Sequence, residues 1–156
     1  MRGKLTKSVT AVSLALVMLL TGVVVMAAPM KLESGWTNTY SITADGEIRP
    51  YTYYLAGVLT GAWASGSNSV AYDLTMDCTQ TVWRGSCNVT VRRSVNGDWV
   101  DAAPGRYYEA YNSYQFNFND FVSGLPSGRY RVFVDYWASD GSITDYFYDE
   151  SGDVYL

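Results

Sequence analysis

The stretch from Leu125 to Trp137 constrains the fold more than any other. After a turn marked by Pro126 and Gly128, apolar and polar side chains alternate without a break. Tyr130, Val132, Val134 and Tyr136 share one parity, and Arg129, Arg131, Phe133, Asp135 and Trp137 share the other. Side chains along a strand point to opposite faces with a period of two, so the pattern specifies a strand with one face buried and one face wet. It is expected to be a central strand of an antiparallel sheet.

The same alternation recurs along the chain. Val70, Tyr72, Leu74 and Met76 alternate with Ser69, Ala71, Asp73 and Thr75, and Val89 and Val91 alternate with Asn88, Thr90 and Arg92. Tyr51 to Trp63 forms a further strand, in which Gly57 and Gly61 predict a bulge or a close backbone approach. Asn96-Gly97 tolerates positive φ at both positions and predicts a tight hairpin into Asp98-Trp99-Val100. Tyr107 to Asn119 sets Tyr114, Phe116 and Phe118 against Gln115, Asn117 and Asn119. Ser139-Asp140-Gly141-Ser142 turns the chain into Ile143 to Tyr148, and Val154 to Leu156 supplies a last pairing. Trp36 to Thr43 reads as a short first strand ahead of an Asp45-Gly46 turn. Turns at this spacing, with no helix signal beyond the N-terminal segment, predict a single all-β antiparallel sandwich of seven or eight strands.

Leu125-Pro126-x-Gly128-x-Tyr130-x-Val132-x-Val134 resembles the turn and sixth strand of fibronectin type III and other immunoglobulin-like sandwiches. The resemblance implies that Tyr130 closes a corner by bonding back to upstream backbone. It implies an architecture and no activity. The layout of a leader, one sandwich, the Asn96-Gly97-Asp98-Trp99 hairpin and a Tyr-rich closing strand pair is similar to uncharacterised families of small secreted bacterial proteins.

Residues 1–27 read as a signal peptide. Arg2, Lys4 and Lys7 precede the apolar run Val9 to Leu20, and Val25-Met26-Ala27 suits a signal peptidase, with cleavage after Ala27 in preference to Ala28. A retained anchor is the alternative, because Ser8 to Met30 carries no charge and is long enough to span a bilayer. Either way residues 28–156 lie outside the membrane. Residues 28–50 then form an N-terminal segment with the first strand, and residues 51–156 the sandwich. The mature chain keeps eight basic residues against fifteen acidic ones, a net charge of −7. Such a balance, with no basic patch, argues against nucleic acid and anionic membrane surfaces as partners.

Cys78 and Cys87 are the only cysteines, and Arg84-Gly85 between them reads as a turn. In an exported chain they are expected to form one local disulfide. Histidine is absent, which removes Ser-His-Asp and Cys-His catalysis and every His-ligated metal centre. No phosphate-cradling Gly motif occurs, and no cofactor is expected.

Carboxylates are the remaining catalytic chemistry, with Asp135, Asp145 and Glu109 as candidates for an acid and base pair. A domain of this size with short loops has little material for a deep cleft, so an enzyme is not expected. Asp135, Asp140, Asp145, Asp149, Glu150 and Asp153 follow Arg131 with no intervening cation. They raise the question of calcium, yet their spacing is not that of an EF-hand, and solvated turn acids are the simpler reading. Phe, Trp and Tyr together number 24. Phe133 and Trp137 fall on the wet side of the organising strand, with Tyr54 a further exposed candidate. Exposed rings stack on flat ligands without needing a pocket. The expectation is therefore an extracellular, non-catalytic binding protein, with a glycan or protein ligand held by Arg131, Phe133, Asp135 and Trp137. A small carboxylate-based glycan hydrolase and a purely structural envelope protein are the alternatives.

Overall fold

Nine strands carry the alternation in a computed structural model that describes residues 39–49 and 52–156, all within the compact unit Trp36–Leu156. The expected leader helix and the cleavage point at Ala27 or Ala28 lie outside the described residues. In chain order the strands are β1 (Thr39–Ile42), β2 (Ile48–Arg49), β3 (Leu55–Ala64), β4 (Val70–Val95) and β5 (Asp98–Asp101). β6 (Arg106–Val122), β7 (Arg129–Ser139), β8 (Thr144–Glu150) and β9 (Val154–Tyr155) follow. Every pairing is antiparallel, in the order β2-β1-β8-β7-β4-β3, with β5 and β6 also bonded to β4 and β9 to β7. The hydrogen bonding therefore links all nine strands into one open sheet.

β7 is the organising strand, and it is central, with β4 on one side and β8 and β9 on the other. Tyr130, Val132, Val134 and Tyr136 are all fully buried, as are Val70, Tyr72, Leu74 and Met76 of β4. Burying one large apolar side chain stabilises by about 1.5–3 kcal/mol, so a one-residue slip of β7, which would expose four of them, is heavily penalised. The Tyr130 hydroxyl donates to the backbone carbonyl of Pro126, four residues upstream, so the corner contact implied by the resemblance is present.

The Asn96-Gly97 hairpin forms with positive φ at both residues (54° and 95°), which sets Trp99 opposite Ser94. A register shift between Leu55 and Gly57 is the bulge that the paired glycines predict. It reverses the parity of β3, so Leu55 is buried and Leu59 exposed.

β4 departs from expectation. Arg84-Gly85 is not a turn but the interior of a continuous strand that pairs with β6 on one edge and β7 on the other. Between Asp77 and Val82 the ladder takes five steps along β4 against two along β6, from Gln115 to Ser113, and both strands bend together. The bend brings the two halves of β4 face to face. A Cβ on Gly85 would lie 2.5 Å from Met76 Cε and from the Phe116 ring, so only glycine fits. The same bend leaves Tyr114 exposed while Phe116 is buried.

The expected Cys78–Cys87 disulfide is absent: both cysteines are unpaired and buried. They lie on one strand on either side of the bend, with Cys78 opposite Leu55 and Cys87 between Tyr108 and Tyr136, and no turn folds one back onto the other. Burial raises both thiols, Cys78 to about 11 with the nearby Asp145 and Asp77 adding to it, and Cys87 to about 12. They are protonated core side chains at neutral pH.

Beyond the ladder, β3 packs across β7 and β8. The Tyr136 hydroxyl sits 2.9 Å from Thr60 Oγ1 and 3.2 Å from the Leu59 carbonyl. Asp145 of β8 is fully buried and holds the chain entering β3. Its Oδ1 accepts from Ser41 Oγ at 2.6 Å and the Tyr53 amide at 3.1 Å, and its Oδ2 from the amides of Tyr54 at 2.5 Å and Leu55 at 2.9 Å. Four donors on one carboxylate satisfy a buried charge that would otherwise be very costly.

Candidate functional site

Antiparallel register places the wet side of β7 in rows with its neighbours. Trp137 lies between Ser86 and Tyr146, Asp135 between Asn88 and Tyr148, Phe133 between Thr90 and Glu150, and Arg131 opposite Arg92. Tyr40 of β1 extends the first row beyond Tyr146. Arg131, Phe133, Asp135 and Trp137 therefore share one face, in that order along the strand, but their surroundings differ sharply from one end to the other.

At the Arg131 end the face is closed upon itself. Arg131 Nη1 bonds Glu150 Oε1 at 2.8 Å and its Nε bonds Asp153 Oδ1 at 2.5 Å. The guanidinium carbons of Arg129 and Arg131 each lie 5.1 Å from the Trp99 ring centroid. The hydrogen bond from Arg131 holds the Asp153 carboxyl below its ordinary range. Phe133 was expected to be an exposed ring and is only 7% exposed. Trp99 meets it edge-on at 5.6 Å, Tyr148 flanks it at 6.5 Å, and Arg92, paired with Asp101 at 2.8 Å, covers it at 4.8 Å. The hairpin delivers Trp99 onto this face, and strand alternation within β7 alone does not reveal it. Tyr54 is buried as well, its hydroxyl donating to Asp140 Oδ2 at 2.5 Å.

At the Trp137 end the rings form a row across three strands. Trp137 is half-buried and meets Tyr146 edge-on at 6.1 Å, while Tyr146 and Tyr40 stack at 4.8 Å with an 8° interplanar angle. Beside them Asp135 is half-buried. Burial raises its pKa and the Arg92 charge partly opposes the shift. Alternation within one strand places Tyr40, Tyr146 and Tyr148 on strands but does not single them out, because their row forms only across strands. The Ser139–Ser142 turn fixes the register that brings Tyr146 to Trp137 and Tyr148 to Asp135.

The three catalytic candidates do not converge. Asp145 alternates to the buried side of β8 and is saturated by its four donors, whereas Asp135 faces outward. Glu109 lies in the row of Trp137 but on β6, beyond β4, and accepts from the Tyr107 hydroxyl at 2.9 Å. Of the C-terminal acids, Glu150 and Asp153 are paired with arginines and Asp140 accepts from the amides of its own turn. Among the described residues no group of three or more Cys, Asp or Glu side chains is arranged to hold a metal ion. No known family model and no curated protein matches the chain.

Proposed function

We propose that the chain is a secreted, non-catalytic binding protein whose bent sheet makes an immunoglobulin-like sandwich. Its working face would be the outer side of β7, β8 and β1. The observation that carries this reading is the row Trp137, Tyr146 and Tyr40 beside a half-buried, weakly compensated Asp135. Rings supply stacking area and Asp135 a directional acceptor, the combination that suits an extracellular glycan or a protein loop. The Tyr130 corner and the packing of β3 over β7 and β8 support the two-layer architecture, and the leader-like N-terminus supports export. The separation of Asp135, Asp145 and Glu109 favours binding over hydrolysis.

A glycan and peptidoglycan array probed with the purified protein and with Trp137→Ala tests the reading. The wild type should bind at least one array component. The variant should lose that binding with its fold and thermal transition nearly intact. A large drop in thermal stability without a change in binding would make the ring row structural. A purely structural role is the second reading, and the mutual burial of Phe133, Trp99 and Arg92 at the opposite end of the face favours it there.

A further inference from the structure

The outer side of β3, the first half of β4 and the second half of β6 is a separate face, and its rows follow from the register. Trp63, Ala71 and Phe121 form the first row, Gly61, Asp73 and Asn119 the second, and Leu59, Thr75 and Asn117 the third. Gly57, Asp77 and Gln115 lie near the bend. Trp63 is 50% exposed and Phe121 is 55% exposed, one on each outer strand, with only the methyl of Ala71 between them. Two strand spacings separate their backbones by about 10 Å. A depression of about 400 Å³ lies here, lined by both rings, Ser65, Ala71, Asp73 and Asn119 among others.

The polar side chains of this face are unevenly satisfied. In the third row Thr75 Oγ1 donates to Asn117 Oδ1 at 3.0 Å, and near the bend Gln115 Nε2 donates to Asp77 Oδ1 at 2.7 Å. Among the described residues the side chains of Asp73 and Asn119, directly beside the two rings, form no such bond. The row next to the rings thus keeps a carboxylate and an amide available to a ligand. The twelve positions of these rows include two aspartates and no Lys or Arg, and Arg106 beside the depression is already paired with Asp120 of its lining, so an anionic ligand is disfavoured.

We propose that Trp63 and Phe121, with Asp73 and Asn119 beside them, form a binding site for a neutral, β-linked polysaccharide chain. The apolar faces of two sugar rings stack on the aromatic pair, and ring hydroxyls bond the Asp73 carboxylate and the Asn119 amide. An extended chain repeats its orientation every second sugar, a length comparable to the separation of the two rings. The small floor at Ala71 and Gly61 lets the chain lie flat. This site shares no side chain with the β7 face and stands whether or not that face binds anything.

Calorimetric titration of the purified protein with cellohexaose, and with an oligogalacturonide of matched length as the anionic control, tests the site. The neutral hexasaccharide should bind and quench tryptophan fluorescence, and the anionic one should not bind. Trp63→Ala and Phe121→Ala should each weaken binding roughly tenfold, as expected for the loss of one stacked ring. Asp73→Ala should weaken it less, and Tyr155→Ala, which removes an exposed ring outside these rows, should leave it unchanged. Absence of cellohexaose binding by the folded protein would overturn the proposal, as would preference for the anionic sugar. Unchanged affinity in both ring variants would overturn it too, and loss confined to Trp137→Ala would move the site to the β7 face.

Discussion

The two outer faces of this sheet use similar residues to opposite effect. At the Arg131 end of the β7 face, Trp99, Phe133 and three arginines cover one another, so the rings there act as a second, smaller core. Beside the first half of β4, Trp63 and Phe121 are kept two strands apart by Ala71, and Leu59 is left 65% exposed. The difference lies in the density of large side chains per row. A row crowded with rings and guanidinium groups buries itself, whereas a row with a small central residue leaves its rings in water, where they serve a partner better than they serve stability.

Removing Asp145 should erase the contrast. Its carboxylate fixes three successive amides at the entrance to β3, the strand that carries Trp63 and Leu59. In Asp145→Ala the amides of Tyr54 and Leu55 lose this acceptor, at about 1–3 kcal/mol for each buried group left unsatisfied. That total is a large share of a typical domain's stability of about 5–15 kcal/mol. Urea unfolding should find the variant largely unfolded or with its midpoint greatly lowered. A midpoint close to wild type would mean that water replaces the carboxylate and that β3 is held by packing alone.

A smaller effect separates the faces directly. Phe133→Ala removes a buried ring and should cost about 3 kcal/mol, as large-to-small core changes do. Trp63→Ala removes a half-exposed ring and should stay within about 0.5 kcal/mol of wild type. Denaturant midpoints of the two variants measured side by side check this. Equal losses would mean that Trp63 is packed as Phe133 is, and that the two faces do not differ in kind.

Much of this was legible in the chain. The parity of Tyr130 to Tyr136 and of Val70 to Met76, the Asn96-Gly97 hairpin and the bulge near Gly57 are local in cause, so alternation and turn chemistry suffice to find them. The bend in β4 was not legible. Arg84-Gly85 has turn composition, but Gly85 is required because Met76 and Phe116 close over it, a contact made only after the strand has curved. The cysteine pairing failed for the same reason, since a turn at that point was the premise of the bridge. The parity of β7 puts Phe133 on the wet side, but it cannot show that the hairpin brings Trp99 across the ring. Nothing local marks Asp145 for burial, which depends on donors about ninety residues away along the chain.

The smallest expected effect bears on whether the β7 face is kept for a ligand. Asp135 is half-buried among rings, and desolvation lifts its pKa above the ordinary carboxylate value. For an acid whose folded pKa exceeds its unfolded value, the folded state favours the protonated form. The associated stability is complete below the unfolded pKa of about 3.9 and is lost as pH rises through the folded value. Asp135→Asn mimics the protonated acid without titrating. Urea unfolding at pH 3, 5 and 7 should give matching stabilities at pH 3 and a small advantage to the variant at pH 7. An Asn variant that is less stable at pH 7 would mean that attraction to Arg92 outweighs desolvation, leaving Asp135 an ordinary structural acid. If the advantage appears, the wild-type carboxylate is retained at a cost to folding, and local costs of that kind concentrate where a protein meets its ligand.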